Sequence, residues 1–194
     1  MQKIFETGHS PKSYQAQEKS FDFPDMTADL CPQCKGGYLK KHGFYKRYLI
    51  TIGFEGEIII RRYYCPECHK TVSLLPSFCH PKRTYGVLAI FGLLVSFYVK
   101  LRTVCLAVAC FFEENRVECS RQLLRHYRRR IEKNLNSLVM AITDINKMQS
   151  PPVTEKTGIK EKVRQFLSNI LEPQETSFKI FERTRTTYLT LQPN

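Results

Sequence analysis

The sequence predicts an α+β fold in which a small β-sheet precedes a helical region, and three observations carry that prediction. Two Cys-x-x-Cys pairs, Cys31 with Cys34 and Cys65 with Cys68, enclose 30 residues dense in Tyr, Phe and Ile. A nearly uncharged apolar run follows over residues 85–99. Beyond it, apolar residues recur at spacings of three and four through 117–148. Aromatic and β-branched density between glycines is the mark of strands, and the three-four spacing that of an amphipathic helix.

Each cysteine pair is spaced to grip a metal ion with two sulfurs. Zinc takes four such ligands tetrahedrally, so two pairs close its shell and leave no position for water. Cys31, Cys34, Cys65 and Cys68 are therefore expected to hold a structural zinc, and the strand-rich stretch between them reads as an N-terminal zinc ribbon. A rubredoxin-type iron site would use the same ligands, but nothing else in the sequence asks for electron transfer. His69 and His80 lie near the second pair and are left out because four sulfurs already fill the shell. Cys79, Cys105, Cys110 and Cys119 have no partner at ligand spacing and read as buried small hydrophobes. Strands are expected at 38–41, 44–52 and 57–64, separated by Gly43, Gly53 and Gly56, with a fourth at 71–75 before Pro76. A ribbon of about fifty residues buries little apolar surface, so the metal is expected to carry its folding free energy.

The rest of the chain divides around this ribbon, taken as 30–83. Residues 1–29, with Ser10-Pro11, Phe23-Pro24 and few regular apolar repeats, read as a flexible leader. Residues 84–148 read as a helix-turn-helix-like helical domain. Its apolar run at 85–99 is shorter than the roughly 18 to 20 residues a spanning helix needs, and Lys100 and Arg102 interrupt it, so a buried helix is expected and no membrane partner. A second helix at 103–112 and a turn at 113–117 follow, with Asn115 expected at any left-handed position. The third helix carries an apolar stripe of Leu124, Tyr127, Ile131, Leu135, Leu138, Ile142 and Ile145, with Ser120 as its N-cap. Residues 149–194 read as a linker at Ser150-Pro151-Pro152, an amphipathic helix through Ile159, Val163, Phe166, Leu167 and Ile170 ending near Pro173, and a tail extended over 178–191.

Charge points to the partner. The chain carries a formal +12, but residues 1–30 sum to −2 while 31–83 reach +7 and 84–148 reach +5. A zinc bound by four thiolates adds a local −2, so the ribbon stays basic with the metal counted. Such a surface attracts a polyanion, with nucleic acid, and double-stranded DNA first, as the expected partner. In a helix-turn-helix the second helix enters the major groove with its N-terminal residues at base edges. That assigns base reading to Ser120, Arg121, Gln122 and Arg125, and phosphate contact to Arg128, Arg129, Arg130 and Lys133. The bland alternative for these arginines is a solvated helix face. In the ribbon, Lys46, Arg47, Arg61 and Arg62, with Lys40 and Lys41, interleave with Tyr38, Phe44, Tyr45, Tyr48, Tyr63 and Tyr64, a pattern suited to stacking unpaired bases. The competing use of those rings is the ribbon's own core.

The runs CPQCKGGYLKKHGFYKRY and IIIRRYYCPECHKTVSLLPSF, with the KRTYG that follows, resemble the N-terminal zinc ribbon of a bacterial family associated with insertion sequences and transposases and catalogued largely as a domain of unknown function. The resemblance is specific over residues 30–85 and looser over 85–130. It implies a helix-turn-helix after the ribbon, DNA binding in a transposition-related setting, and the same four cysteines as ligands. The chain departs from the family in having no tryptophan, Tyr127 standing where the second helix often carries one. Cys79 and His80 also stand where the family has apolar residues.

An enzyme is the competing class. A transposase strand-transfer site needs three carboxylates holding two metal ions on a sheet of more than about one hundred residues. Here Asp22, Asp25 and Asp29 fall in the leader, Asp144 is the only later aspartate, and no phosphate-binding glycine loop or nucleophile motif is present. The expectation is a non-catalytic DNA-binding protein, transposase-related or accessory to a mobile element, with a second copy of the chain or a transposase as further partners. A transcriptional regulator, a single-stranded nucleic-acid or RNA binder, and a truncated transposase with residual activity are the alternatives. With no basic start followed by an apolar run, and with eight cysteines suited to a reducing compartment, a cytoplasmic location is expected.

Overall fold

The computed structural model describes residues 1–146 and 158–184, with side chains described through residue 141 in the first stretch and residue 182 in the second. It is a mixed α+β structure divided into two compact units. Unit 1 comprises Met1–Ile50 and Phe54–Thr84, and unit 2 comprises Thr51–Gly53 and Tyr85–Asn194.

Unit 1 is built on four strands, β1 (Gln2–Phe5), β2 (Lys40–Thr51), β3 (Phe54–Tyr64) and β4 (Thr71–Pro76), in the order β1-β4-β3-β2. β3 and β4 run antiparallel with Arg61 opposite Leu74 and Tyr63 opposite Val72, while β1 lies parallel to β4 with Ile4 beside Leu75. The β2–β3 hairpin turns at Gly53, whose φ of 75° lies in the left-handed region that tight hairpins require. The expected breaks at Gly43 and Gly56 are not breaks. β2 continues through Gly43, kinking at a φ of 121° that only a residue without a Cβ adopts freely, so the strands expected at 38–41 and 44–52 form one element.

The segment expected as a flexible leader, residues 1–29, is instead part of this unit. β1 extends the sheet, and α1 (Pro11–Gln17) packs on β3, its first turn capped by Ser10 Oγ accepting from Ser13 N at 3.2 Å. Tyr14 on α1 is buried, donates its hydroxyl to Ile59 O at 2.7 Å, and has the rings of Phe21 and Phe78 within 4.6 and 5.5 Å. Tyr63 donates in the same way to Pro24 O at 2.8 Å. The segment escaped detection because elements of four and seven residues are too short to show an apolar period. Its scattered aromatics nonetheless cover the sheet face that carries Tyr63 and Leu74, so the sheet does not stand alone.

Unit 2 holds α2 (Val87–Tyr98), α3 (Val104–Asn115), α4 (Arg121–Asn146), α5 (Ile159–Ser168) and α6 (Pro173–Thr184). α2 packs against all four of the others, and Ile90, Leu93 and Leu94 are fully buried. This explains the apolar run at 85–99: a helix surrounded by helices is apolar all round. Among the described residues no helix is long and apolar enough to cross a membrane. Close approach of α3 is permitted at Gly92, where a Cβ would stand 2.8 Å from Phe111 Cε2. Lys100 and Arg102, the cations that interrupt the run, both pair with Glu114 of α3, at 2.7 and 3.0 Å.

Between α3 and α4 the left-handed residue is Arg116, at a φ of 56°, one position beyond the Asn115 expected for it. Asn115 instead donates its side-chain amide to Phe111 O at 3.1 Å. Ser120 caps α4, its Oγ accepting from Leu123 N at 3.0 Å. The stripe Leu124, Tyr127, Ile131, Leu135 and Leu138 is buried as expected, while Ile142 and Ile145 lie outside the described side chains. One further expectation needs correction. The helix expected to end near Pro173 does end, at Ser168, and Pro173 then opens α6, because proline costs nothing at a helix start whose N–H would be unpaired anyway. Residues 178–184, expected as extended, are accordingly helical, with Ile180 and Phe181 buried. The linker at 150–152 and the tail from 185 to 191 lie outside the described residues. Cys79 and Cys119 are buried and desolvation pushes both thiols up to about 12, but Cys105 is exposed and Cys110 half-buried, since α3 turns Ala107 and Phe111 inward.

Candidate metal centre and nucleic-acid interface

The two cysteine pairs, 31 residues apart from Cys34 to Cys65, converge at one end of unit 1. Their four sulfurs lie within 4.8 Å of one another, with Cys31 to Cys68 at 3.7 Å and Cys34 to Cys65 at 3.6 Å. Zinc–sulfur bonds of about 2.3 Å in a tetrahedron place sulfurs about 3.8 Å apart, so the cluster fits the ion. Disulfides, with sulfurs near 2.05 Å, are excluded by the same distances. Among the described residues this is the one group of His, Cys, Asp and Glu side chains so gathered.

The backbone explains the convergence. In each pair the residue directly after the second cysteine, Lys35 or His69, takes a left-handed φ of 55° and reverses the chain. Cys31 N donates to Gly37 O at 2.8 Å and Lys35 N to Cys31 O at 2.8 Å, while Cys65 N donates to Lys70 O at 2.9 Å. The two loops are thus near-repeats of one tight turn. Gly37 lets them meet: a Cβ there would fall 2.4 Å from Glu67 Cγ and 3.4 Å from Cys65 Sγ.

Cys31 and Cys65 are fully buried, Cys68 is half-buried and Cys34 is exposed. The backbone N–H of Cys34, aimed at Cys31, leads the effects that lower the Cys31 thiol to about 6, while desolvation raises Cys68. The fold therefore favours the Cys31 thiolate and disfavours that of Cys68, which needs the metal's charge. His69 stands outside the cluster, hydrogen-bonded through Nδ1 to the Tyr64 hydroxyl, and His80 is buried with Nδ1 3.3 Å from Pro81 O. A four-sulfur shell has no open position, so the arrangement supports structure, not hydrolysis.

The candidate nucleic-acid residues separate into two groups. On α4, Arg121, Gln122, Arg125, Arg129 and Lys133 are exposed on one side, as is the capping Ser120. Arg121 donates to Cys105 Sγ at 3.6 Å; Arg125, Arg129 and Lys133 have no ion pair among the described residues. Arg128 is committed elsewhere: its guanidinium lies 4.1 Å over the Phe97 ring and 3.6 Å from Glu132, which also accepts from Tyr98. Arg130 is half-buried. In unit 1, Arg47 donates to the carbonyls of His80 and Arg83, tying β2 to the loop that follows β4. Lys46 pairs with Glu57 at 3.0 Å. Arg61 lies over the Phe44 ring at 4.6 Å, and Arg62 over Tyr45 at 5.7 Å. These four candidate cations of unit 1 therefore have internal partners, which residue type alone cannot reveal.

Residues 31–97 match the family described as Domain of unknown function (DUF6431), a span that starts at the first sulfur ligand and ends in α2. No curated protein and no solved structure matches the chain.

Proposed function

We propose that the protein binds duplex DNA through the exposed basic side of α4, with a zinc ion on Cys31, Cys34, Cys65 and Cys68 bracing unit 1. The observation that carries the reading is the row Arg121, Arg125, Arg129 and Lys133, exposed at intervals of four residues. A helical rise of 1.5 Å per residue spaces these cations by about 6 Å, suited to successive phosphates along a strand. A merely solvated helix face usually mixes both signs of charge. Here Glu132 is the one acid between residues 121 and 141, and Arg128 and Tyr98 occupy it. The field of the row is left unneutralised, which favours a polyanion.

In this reading Ser120, Arg121, Gln122 and Arg125 at the start of α4 meet base edges, α3 and α4 acting as a helix-turn-helix, and Arg129 and Lys133 meet phosphates. Arg128 packs over Phe97 and beside Glu132 instead. A role beside a transposase, without catalysis by this chain, is supported by the resemblance of the ribbon and by the lack of a carboxylate triad in the sequence. Replacing Arg125, Arg129 and Lys133 together by Glu is expected to weaken duplex binding on the order of a hundredfold or more at moderate salt, measured by fluorescence anisotropy. An unchanged affinity in the zinc-loaded triple variant would refute the assignment.

A further inference from the structure

A second cluster in unit 1 adds His42 and His69 to Tyr64, one of the aromatics singled out in the sequence. The kink that Gly43 allows in β2 sends Phe44 to the side of the sheet where Phe23 and Arg61 meet it, at 5.6 and 4.6 Å. His42 goes to the opposite side, where its ring lies 5.5 Å from Tyr64 at an interplanar angle of 30°. His69 flanks Tyr64 in turn, at 6.1 Å and 46°. The result is a short column of tilted rings, His42, Tyr64 and His69, with Tyr64 half-buried in the middle, both histidines exposed, and His69 at the hydroxyl edge of Tyr64, held there through its Nδ1.

Two other tyrosines of this region are already engaged, while Tyr38 is exposed outside this cluster. Tyr63 is buried with its hydroxyl on Pro24, and Tyr48 donates to Glu55 at 2.7 Å. His42 differs from them in lying tilted by 30° against its partner ring while its own ring stays exposed, and an exposed flat ring is what an unpaired base can stack on. Three exposed lysines, Lys35, Lys40 and Lys70, adjoin the column in sequence and have no ion pair among the described residues. Together with Arg62 over the neighbouring Tyr45 they offset the −2 of a zinc–thiolate centre and leave the surroundings positive.

We propose that this column is a stacking site for an unpaired base of a single-stranded nucleic acid, with His42 as the ring that receives the base and Lys40 and Lys70 as the cations that meet its phosphates. Every base presents a π-face, so such a site takes single strands with little sequence preference and rejects a duplex, whose bases are already stacked. The site uses no residue of the α4 row and stands whether or not that row binds duplex.

The test uses the zinc-loaded full chain and a twelve-residue oligothymidylate carrying one central 2-aminopurine, with the matching RNA as a second arm. Binding should quench the 2-aminopurine, and His42→Ala should abolish the quench and weaken single-strand affinity roughly tenfold, as expected for one lost stacking partner. His42→Phe should restore both, since it keeps the ring and discards the imidazole nitrogens. Zinc content and duplex affinity should be unchanged in both variants, which marks the fold as intact. Quenching in the DNA arm, the RNA arm or both supports the site and tells which strand it takes. No quench with wild type in either arm, or a quench that survives His42→Ala, overturns it. Loss of duplex binding in the α4 triple variant with the quench intact separates the two surfaces.

Discussion

Stripping the metal, or replacing Cys65 by Ser, is expected to unfold unit 1. Cys65 is fully buried at the end of β3, and its backbone N–H bonds to Lys70 O to shape the loop into β4. Structural zinc sites contribute roughly 10 to 16 kcal/mol at neutral pH. That equals or exceeds the roughly 5 to 15 kcal/mol by which whole domains are stable. The aromatic layer supplied by residues 1–29 gives the sheet more core than a bare ribbon has, yet it does not outweigh a term of this size. A strong chelator should therefore abolish the β signal in circular dichroism, and re-addition of zinc should restore it. Acid should act in the same direction. The Cys31 thiol sits below its ordinary value of 9.0, at about 6, so its thiolate stabilises the fold at neutral pH and is lost as pH falls through about 6. Zinc release should accompany that fall, because protons compete for all four sulfurs. A chelated protein that keeps a cooperative unfolding transition for its strands would show that the metal is dispensable.

Leu93→Ala is expected to cost about 2 to 5 kcal/mol, the range for deleting a large buried side chain that its neighbours cannot collapse around. Leu93 is fully buried on α2, and α2 is enclosed by four helices, so the cavity has little room to close. Urea denaturation should show the lower midpoint with zinc content unchanged. Leu106→Ala is the control, on α3 with the residue 51% exposed, and should change stability by no more than about 0.5 kcal/mol. Equal effects at the two positions would contradict the placing of α2 at the centre of unit 2.

The metal cluster was legible because ligand spacing is a local property: two cysteines three positions apart reach one ion wherever the rest of the chain goes. The helices α2, α3 and α4 were legible for a related reason, since an apolar run or a three-four stripe is visible in a short window. What escaped notice depends on contacts between distant residues. Tyr14 and Phe21 look like unpatterned aromatics until β3 and Phe78 are beside them. Arg47 and Arg128 look like Arg125 and Arg129, yet carbonyls and a Phe97 ring claim the first two. His42 was passed over because its partner Tyr64 lies across the hairpin, and Gly43 was read as a strand break when it is the residue that turns His42 toward that partner. Pro173 shows the limit of a single-residue signal, since proline marks the start of a helix as readily as its end.

The central claim is a basic face on a zinc-braced protein that engages DNA phosphates, and salt dependence tests it most directly. Affinity of the zinc-loaded wild type for a random duplex of 25 base pairs should be measured by anisotropy across a series of salt concentrations. On a random duplex, with no matched base edges to read, all four cations of the row fall to phosphates and predict a linear plot of log affinity against log salt with a slope of about −3 to −4. No binding at the lowest salt, or an affinity that does not change with salt, would contradict the account.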